Sequence, residues 1–116
     1  MGTFTVEELK EAHRAILSLR NKSGKAADKL TENSWQKKNM VSVAAAADVA
    51  LSLIDNAKSG PYARETLDKS CFALADALSR AEAVIGKFAP GTSQHTLQKN
   101  RIAALKLALT LIKREG

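Results

Sequence analysis

Apolar residues recur along most of this chain at alternating gaps of three and four, the period of a helix that buries one side. The fullest case is the stretch from Met40 to Ala57. Met40, Val43, Ala47, Ala50, Ile54 and Ala57 form one seam. Trp35, Ala46, Val49 and Leu53 form a flank beside it. Seam and flank together cover more than half of the helix circumference, so this helix is expected to touch at least two neighbours or a second chain. The run Ala44-Ala45-Ala46-Ala47 favours helix and permits close interhelical approach.

Three further segments carry the same period. Val6, Leu9, Ala12, Ile16 and Leu19 make a stripe with Leu17 at its edge. Thr5 and Glu8 have the spacing of a capping box at its start, and Phe4 and Leu9 that of a hydrophobic staple. Asn21-Lys22-Ser23-Gly24 reads as the end of this helix, with glycine as terminator. Leu67, Cys71, Leu74, Leu78, Ala81, Ile85 and Phe88 form the most regular stripe, with Phe72 on nearly the opposite face. The last segment has two adjacent stripes, Ile102-Leu105-Leu109-Ile112 and Leu97-Ala104-Ala108-Leu111.

Glycine, proline and capping residues fall between these segments. Ser59-Gly60-Pro61 closes one helix and opens the next, and Ala89-Pro90-Gly91 is a turn before Thr92 or Ser93 as a cap. The expected helices run over about 5–22, 34–58, 61–87 and 93–114. A short helix over about 25–31 is possible, with a break near Thr31–Ser34; one continuous helix from Lys25 to Lys58 is the alternative. Four helices on short connections predict an all-α up-and-down bundle crossing near 20°.

Length and composition agree. The 116 residues suit a single domain spanning 1–116, large enough to bury a core. Cys71 is the one cysteine, so no internal disulfide can form. No apolar run is long enough to span a bilayer, and the N-terminus lacks the pattern of a secretory signal, so a soluble cytoplasmic protein is expected.

Charge adds the first hint of function. The formal net charge is +6. Residues 1–38 hold 8 basic and 5 acidic side chains, residues 39–86 hold 4 and 6, and residues 87–116 hold 6 and 1. In a closed bundle the first and last helices are neighbours, so the two basic ends of the chain would form one electropositive face. Its candidates are Lys22, Lys25, Lys37, Lys38, Lys99, Arg101, Lys106, Lys113 and Arg114. Lys99, Lys106 and Lys113 lie seven apart and span about 21 Å of one helix side. Gln94, His95, Gln98 and Asn100 add hydrogen-bonding groups nearby. Such a set suits contact with a nucleic-acid backbone, although a solvated lysine face reads the same way. Stacking aromatics and named DNA-binding modules are missing.

Trp35, Leu53, Phe72 and Leu107 are the candidate partner-binding residues, because each falls off or at the edge of a buried stripe. His13 and His95 lack the spacing of metal ligands, and Cys71 sits within a packed seam, so no metal, cofactor or catalytic residue is expected. A buried His13 would make the fold sensitive near about pH 6. Asp48, Asp55, Glu65 and Asp68 read as solvated acids or partners for neighbouring cations.

The pattern fits a small, basic, non-enzymatic binding protein, an accessory subunit that contacts nucleic-acid backbone within a nucleoprotein complex. A pure protein-interaction module is the alternative: a homodimer, an immunity or antitoxin-like protein, or a phage accessory inhibitor.

Overall fold

The structure is a computed structural model that describes residues 4–32, 34–55 and 62–115. It is a four-helix all-α bundle with up-and-down topology: α1 (Val6–Asp28), α2 (Trp35–Ile54), α3 (Arg64–Ile85) and α4 (Ser93–Glu115). Helices consecutive in the chain are neighbours, α1 and α4 close the ring, and α2 also meets α4 across the diagonal. The expectation that α2 touches several neighbours holds, and α4 shares that position. The proposed ends at Lys58 and Pro61, with Ala57 of the seam, lie outside the described residues.

Each start has a local cause. Thr5 and Glu8 form a reciprocal capping box: the Glu8 N–H donates to Thr5 Oγ1 at 3.0 Å and the Thr5 N–H donates to Glu8 Oε1 at 2.9 Å. Ser34 caps α2 by accepting from the Lys37 N–H at 3.1 Å. Thr92 caps α4, accepting from the His95 N–H at 3.2 Å while its hydroxyl donates to Ala89 O at 2.8 Å. The turn before α4 needs Gly91, whose φ of 90° lies in the left-handed region.

The first helix does not stop at Gly24. It continues to Asp28, without a separate short helix, and the break falls between Lys29 and Ser34. The reason is burial. Ala12, Ile16, Leu19, Ser23 and Ala27 repeat at the helical period and are all buried, so the packed side extends past the glycine. At the other end Val6 is 67% exposed and drops out of the expected stripe.

The core is built largely from alanine. Ala46, Ala47 and Ala50 of α2 and Ala104 and Ala108 of α4 are each at most 2% exposed, around the large side chains of Ile16, Leu74, Leu105 and Ile112. Small side chains on both helices let α2 and α4 approach until Cα atoms lie within 8 Å across the diagonal. On α3 the buried side is centred on Leu67, Ser70, Leu74 and Ala81 with Ala73, which leaves Cys71, Leu78, Ile85 and Phe88 half-buried. The bundle measures 39 × 38 × 18 Å. A pair of ~35 Å helices crossed at 20° would be much narrower than that. The helices therefore fan more widely than their spacing suggested, in two layers.

Gly24 faces open space, with nothing within 4 Å of the position a Cβ would take, and its φ is not positive. Gly24→Ala is expected to raise stability by about 0.5–1 kcal/mol in urea unfolding. Ala47, at 0% exposure, has no such room. Ala47→Leu is expected to cost about 1–3 kcal/mol in the same measurement.

Candidate functional site

The charge of the bundle is set by how its helices run. The antiparallel arrangement places the ends of α1 and α3 beside the starts of α2 and α4. The half of the bundle that contains those four termini comprises residues 18–44 and 75–103. It carries ten Lys and Arg against four Asp and Glu, whereas the rest of the chain carries eight of each. The whole surplus of +6 thus belongs to one end. Two helix N-termini and two C-termini share that end, so the helix dipoles offset one another and the surplus comes from side chains.

This differs from the single basic face expected along α1 and α4. The two helices are neighbours, but they are antiparallel, and opposite charges meet along half of their length. Phe4, Glu8, Glu11 and Ala12 of the first segment share a groove with Asn100, Ala104, Lys106, Leu107 and Thr110. Arg114 lies over the Phe4 ring, 5.4 Å from its centroid. Lys106 and Arg114 therefore run beside the acidic start of α1, and Lys113 lies on the same half of α4. Lys22, Lys25, Lys38 and Lys99 are exposed at the basic end, where Lys29 and Lys87 join them. The last two are surface cations outside the candidate set drawn from the sequence.

Not every cation at that end faces solvent freely. Lys37 is half-buried and pairs with Glu32. Arg80 is held on three sides. It pairs with Asp76 at 3.1 Å and lies 6.0 Å from the Trp35 centroid. Its two terminal nitrogens donate to the Asn39 amide oxygen at 3.0 and 3.2 Å, with that amide turned towards them. Arg101 points the other way. Its Nε is buried without a hydrogen-bond partner among the described residues, and burial lowers its pKa from the ordinary arginine value because the guanidinium loses part of its water. Arg101 is thus a half-buried pocket residue rather than a surface phosphate contact.

The partner-binding candidates divide in two. Trp35 is 68% exposed and Phe72 is 80% exposed. Both lie along the α2–α3 groove. Phe72 shares its wall with Asn39, Ser42, Ala45, Ala46, Val49, Lys69, Ala73 and Asp76, and Trp35 lies one turn before Asn39 at its end. Leu53 and Leu107 do not join them. Leu53 is half-buried and packs on the core, and Leu107 is 7% exposed inside it. Both were placed at the edge of an apolar arc, and each arc is wider than the sequence implied because α2 and α4 each contact three helices.

The remaining candidates have structural roles. His13 Nε2 and Asp55 are 3.2 Å apart, and Arg20 Nε donates to Asp48 at 2.9 Å. These two pairs tie α1 to α2. Glu65 pairs with Lys69 at 2.9 Å and Arg64 with Asp68 at 3.5 Å, each one turn along α3. The Lys69 ammonium lowers the Glu65 pKa by hydrogen bonding, and the carboxylate raises that of Lys69 in return. Cys71 is a free, half-buried thiol. Among the described residues no group of three or more His, Cys, Asp and Glu side chains could hold a metal ion, and no helix is long and apolar enough to cross a membrane.

Set against known proteins, the chain matches no protein-family model, and no curated protein or solved structure matches it either.

The difference between Leu107 and Phe72 can be measured. Leu107→Ala is expected to cost about 2–5 kcal/mol in denaturant unfolding, as for a core leucine. Phe72→Ala should stay within about 0.5 kcal/mol of the parent protein.

Proposed function

We propose that this is a binding protein whose basic end holds a polyanion, a nucleic-acid backbone, as an accessory subunit of a nucleoprotein complex. One observation carries the reading: the whole charge surplus of the chain lies in the half of the bundle where α1 and α3 end and α2 and α4 begin. A random scatter of lysines for solubility has no reason to leave the other half neutral. Lys22, Lys25, Lys29, Lys38, Lys87 and Lys99 are exposed there, on all four helix termini. Lysines of this kind meet phosphates as point charges and read no sequence. The one tryptophan of the chain, Trp35, is exposed at this end with Arg80 over one face of its ring.

A second reading, docking on another protein through the α2–α3 groove, is favoured by Trp35 and Phe72 standing exposed on one groove of small residues. The two readings are compatible, since the groove and the basic end adjoin at Trp35.

Titration of labelled single- and double-stranded DNA and RNA tests the first reading. Affinity is expected to fall about tenfold or more between roughly 50 and 200 mM salt. The triple reversal Lys25→Glu, Lys38→Glu and Lys99→Glu should abolish binding. Lys106→Glu with Lys113→Glu, on the half of α4 beside the acidic start of α1, should weaken it much less. No binding at low salt, or equal losses in the two variants, would overturn the proposal.

A further inference from the structure

At the basic end lies a solvent-open cavity of about 340 Å³, lined by all four helices. Its walls are mainly apolar: Leu19 and Ala26 of α1, Met40 and Val43 of α2, and Ala77, Ala81 and Val84 of α3. The fourth side comes from α4, which contributes Gln98 and Arg101. Gln98 Oε1 and Arg101 Nε are both buried without a hydrogen-bond partner among the described residues. No other buried side-chain nitrogen or oxygen among those residues shares that condition. Two unsatisfied polar atoms, three residues apart on one helix and in side chains that line one apolar cavity, are costly for a fold to keep.

The charges around the cavity say what would suit it. Asp76 and Arg80 also line it, but they pair with each other, and Arg80 is further engaged by Asn39 and Trp35. Lys22 stands at the solvent-facing rim. What remains on the wall is the half-buried guanidinium of Arg101, without a counter-charge among the described residues. A phosphate would leave the apolar wall unused. A single carboxylate fits, with an apolar body to cover the α1, α2 and α3 walls. The Gln98 amide presents either its oxygen or its NH₂ by rotation of its last bond, so it can donate to the same head group.

We propose that this cavity binds a small amphipathic monocarboxylate, its head group on Arg101 and Gln98 and its apolar body between α1, α2 and α3. The site is independent of the nucleic-acid reading, because it uses inward-facing groups of the same end rather than its surface lysines.

The test uses octanoate as probe, with 1-octanol as the same body without charge and acetate as the charge without the body. Trp35 is the one tryptophan of the chain and lies against Arg80 on the cavity wall, so its emission serves as one readout. Backbone amide shifts mapped by NMR serve as the second. Octanoate is expected to bind saturably and to move the amides of Ser23, Ala77, Ala81 and Arg101. Octanol and acetate should bind at least tenfold more weakly. Arg101→Met keeps the stem and removes the guanidinium, and should weaken octanoate at least tenfold with thermal unfolding still cooperative. Ala26→Leu fills the cavity from α1 and should block the probe. The triple reversal at Lys25, Lys38 and Lys99 should leave octanoate binding intact, which separates this site from the polyanion surface. Absence of saturable octanoate binding, equal affinity for octanol, or unchanged binding in Ala26→Leu would each overturn the proposal. The comparison of octanoate with octanol on the parent protein needs no variant, so a poorly folding substitution does not blunt the test.

Discussion

Close approach of α2 and α4 across the diagonal of the bundle governs the rest of the structure. Four helices in a square normally leave their diagonals apart, with large side chains filling the centre. Here alanines on both helices bring the backbones together, and nine of the seventeen buried apolar residues among those described are alanine. That choice has two effects. Ordering an alanine costs almost no side-chain entropy, so a core made of them is cheap to fix in one arrangement. But alanine also fills little space, and the helices fan away from the contact. Where they part, towards the ends of the bundle, grooves and cavities open between them. The cavity of the basic end and the groove beside Phe72 both follow from that geometry.

The polar residues follow a second rule, antiparallel register. A helix with acidic residues early and basic residues late, such as α1, meets α4 with its order reversed. The result is attraction along half of their contact and accumulated positive charge at the remaining end. Cross-helix pairs complete the arrangement. His13 with Asp55 and Arg20 with Asp48 hold α1 on α2, and Arg80 with Asp76 and Asn39 joins α3 to α2. These pairs are half-exposed and worth little individually, so their contribution is to angle and register more than to stability.

Much of this was readable in the residues, and the failures are instructive. The helical seams, the capping box at Thr5, the turn at Gly91 and the exposure of Phe72 all follow from local spacing, which is a property of one helix. Gly24 misled because glycine ends helices more often than it sits inside them, while the burial of Ser23 and Ala27 that carries α1 past it is a tertiary fact. Leu53 and Leu107 misled for a related reason. A residue at the rim of an apolar arc is exposed or buried according to how many helices surround it, and the periodicity of a single helix does not count its neighbours. The clustering of charge at one end was out of reach until the register between α1 and α4 was known. Lys29 and Lys87 join that end only through the fold, since each lies in a connection just past the end of a helix.

A body with its net charge at one end and neutrality at the other has a large electric dipole along its length. In the field of a polyanion such a molecule feels a torque as well as a pull. It turns while still a Debye length or so away, and arrives with the starts of α2 and α4 foremost. Two copies meeting at those ends repel, whereas side-by-side copies in opposite orientation do not. Along a charged strand the same asymmetry would set a polarity for every copy: one end inward, and the groove of Trp35 and Phe72 turned sideways to its surroundings.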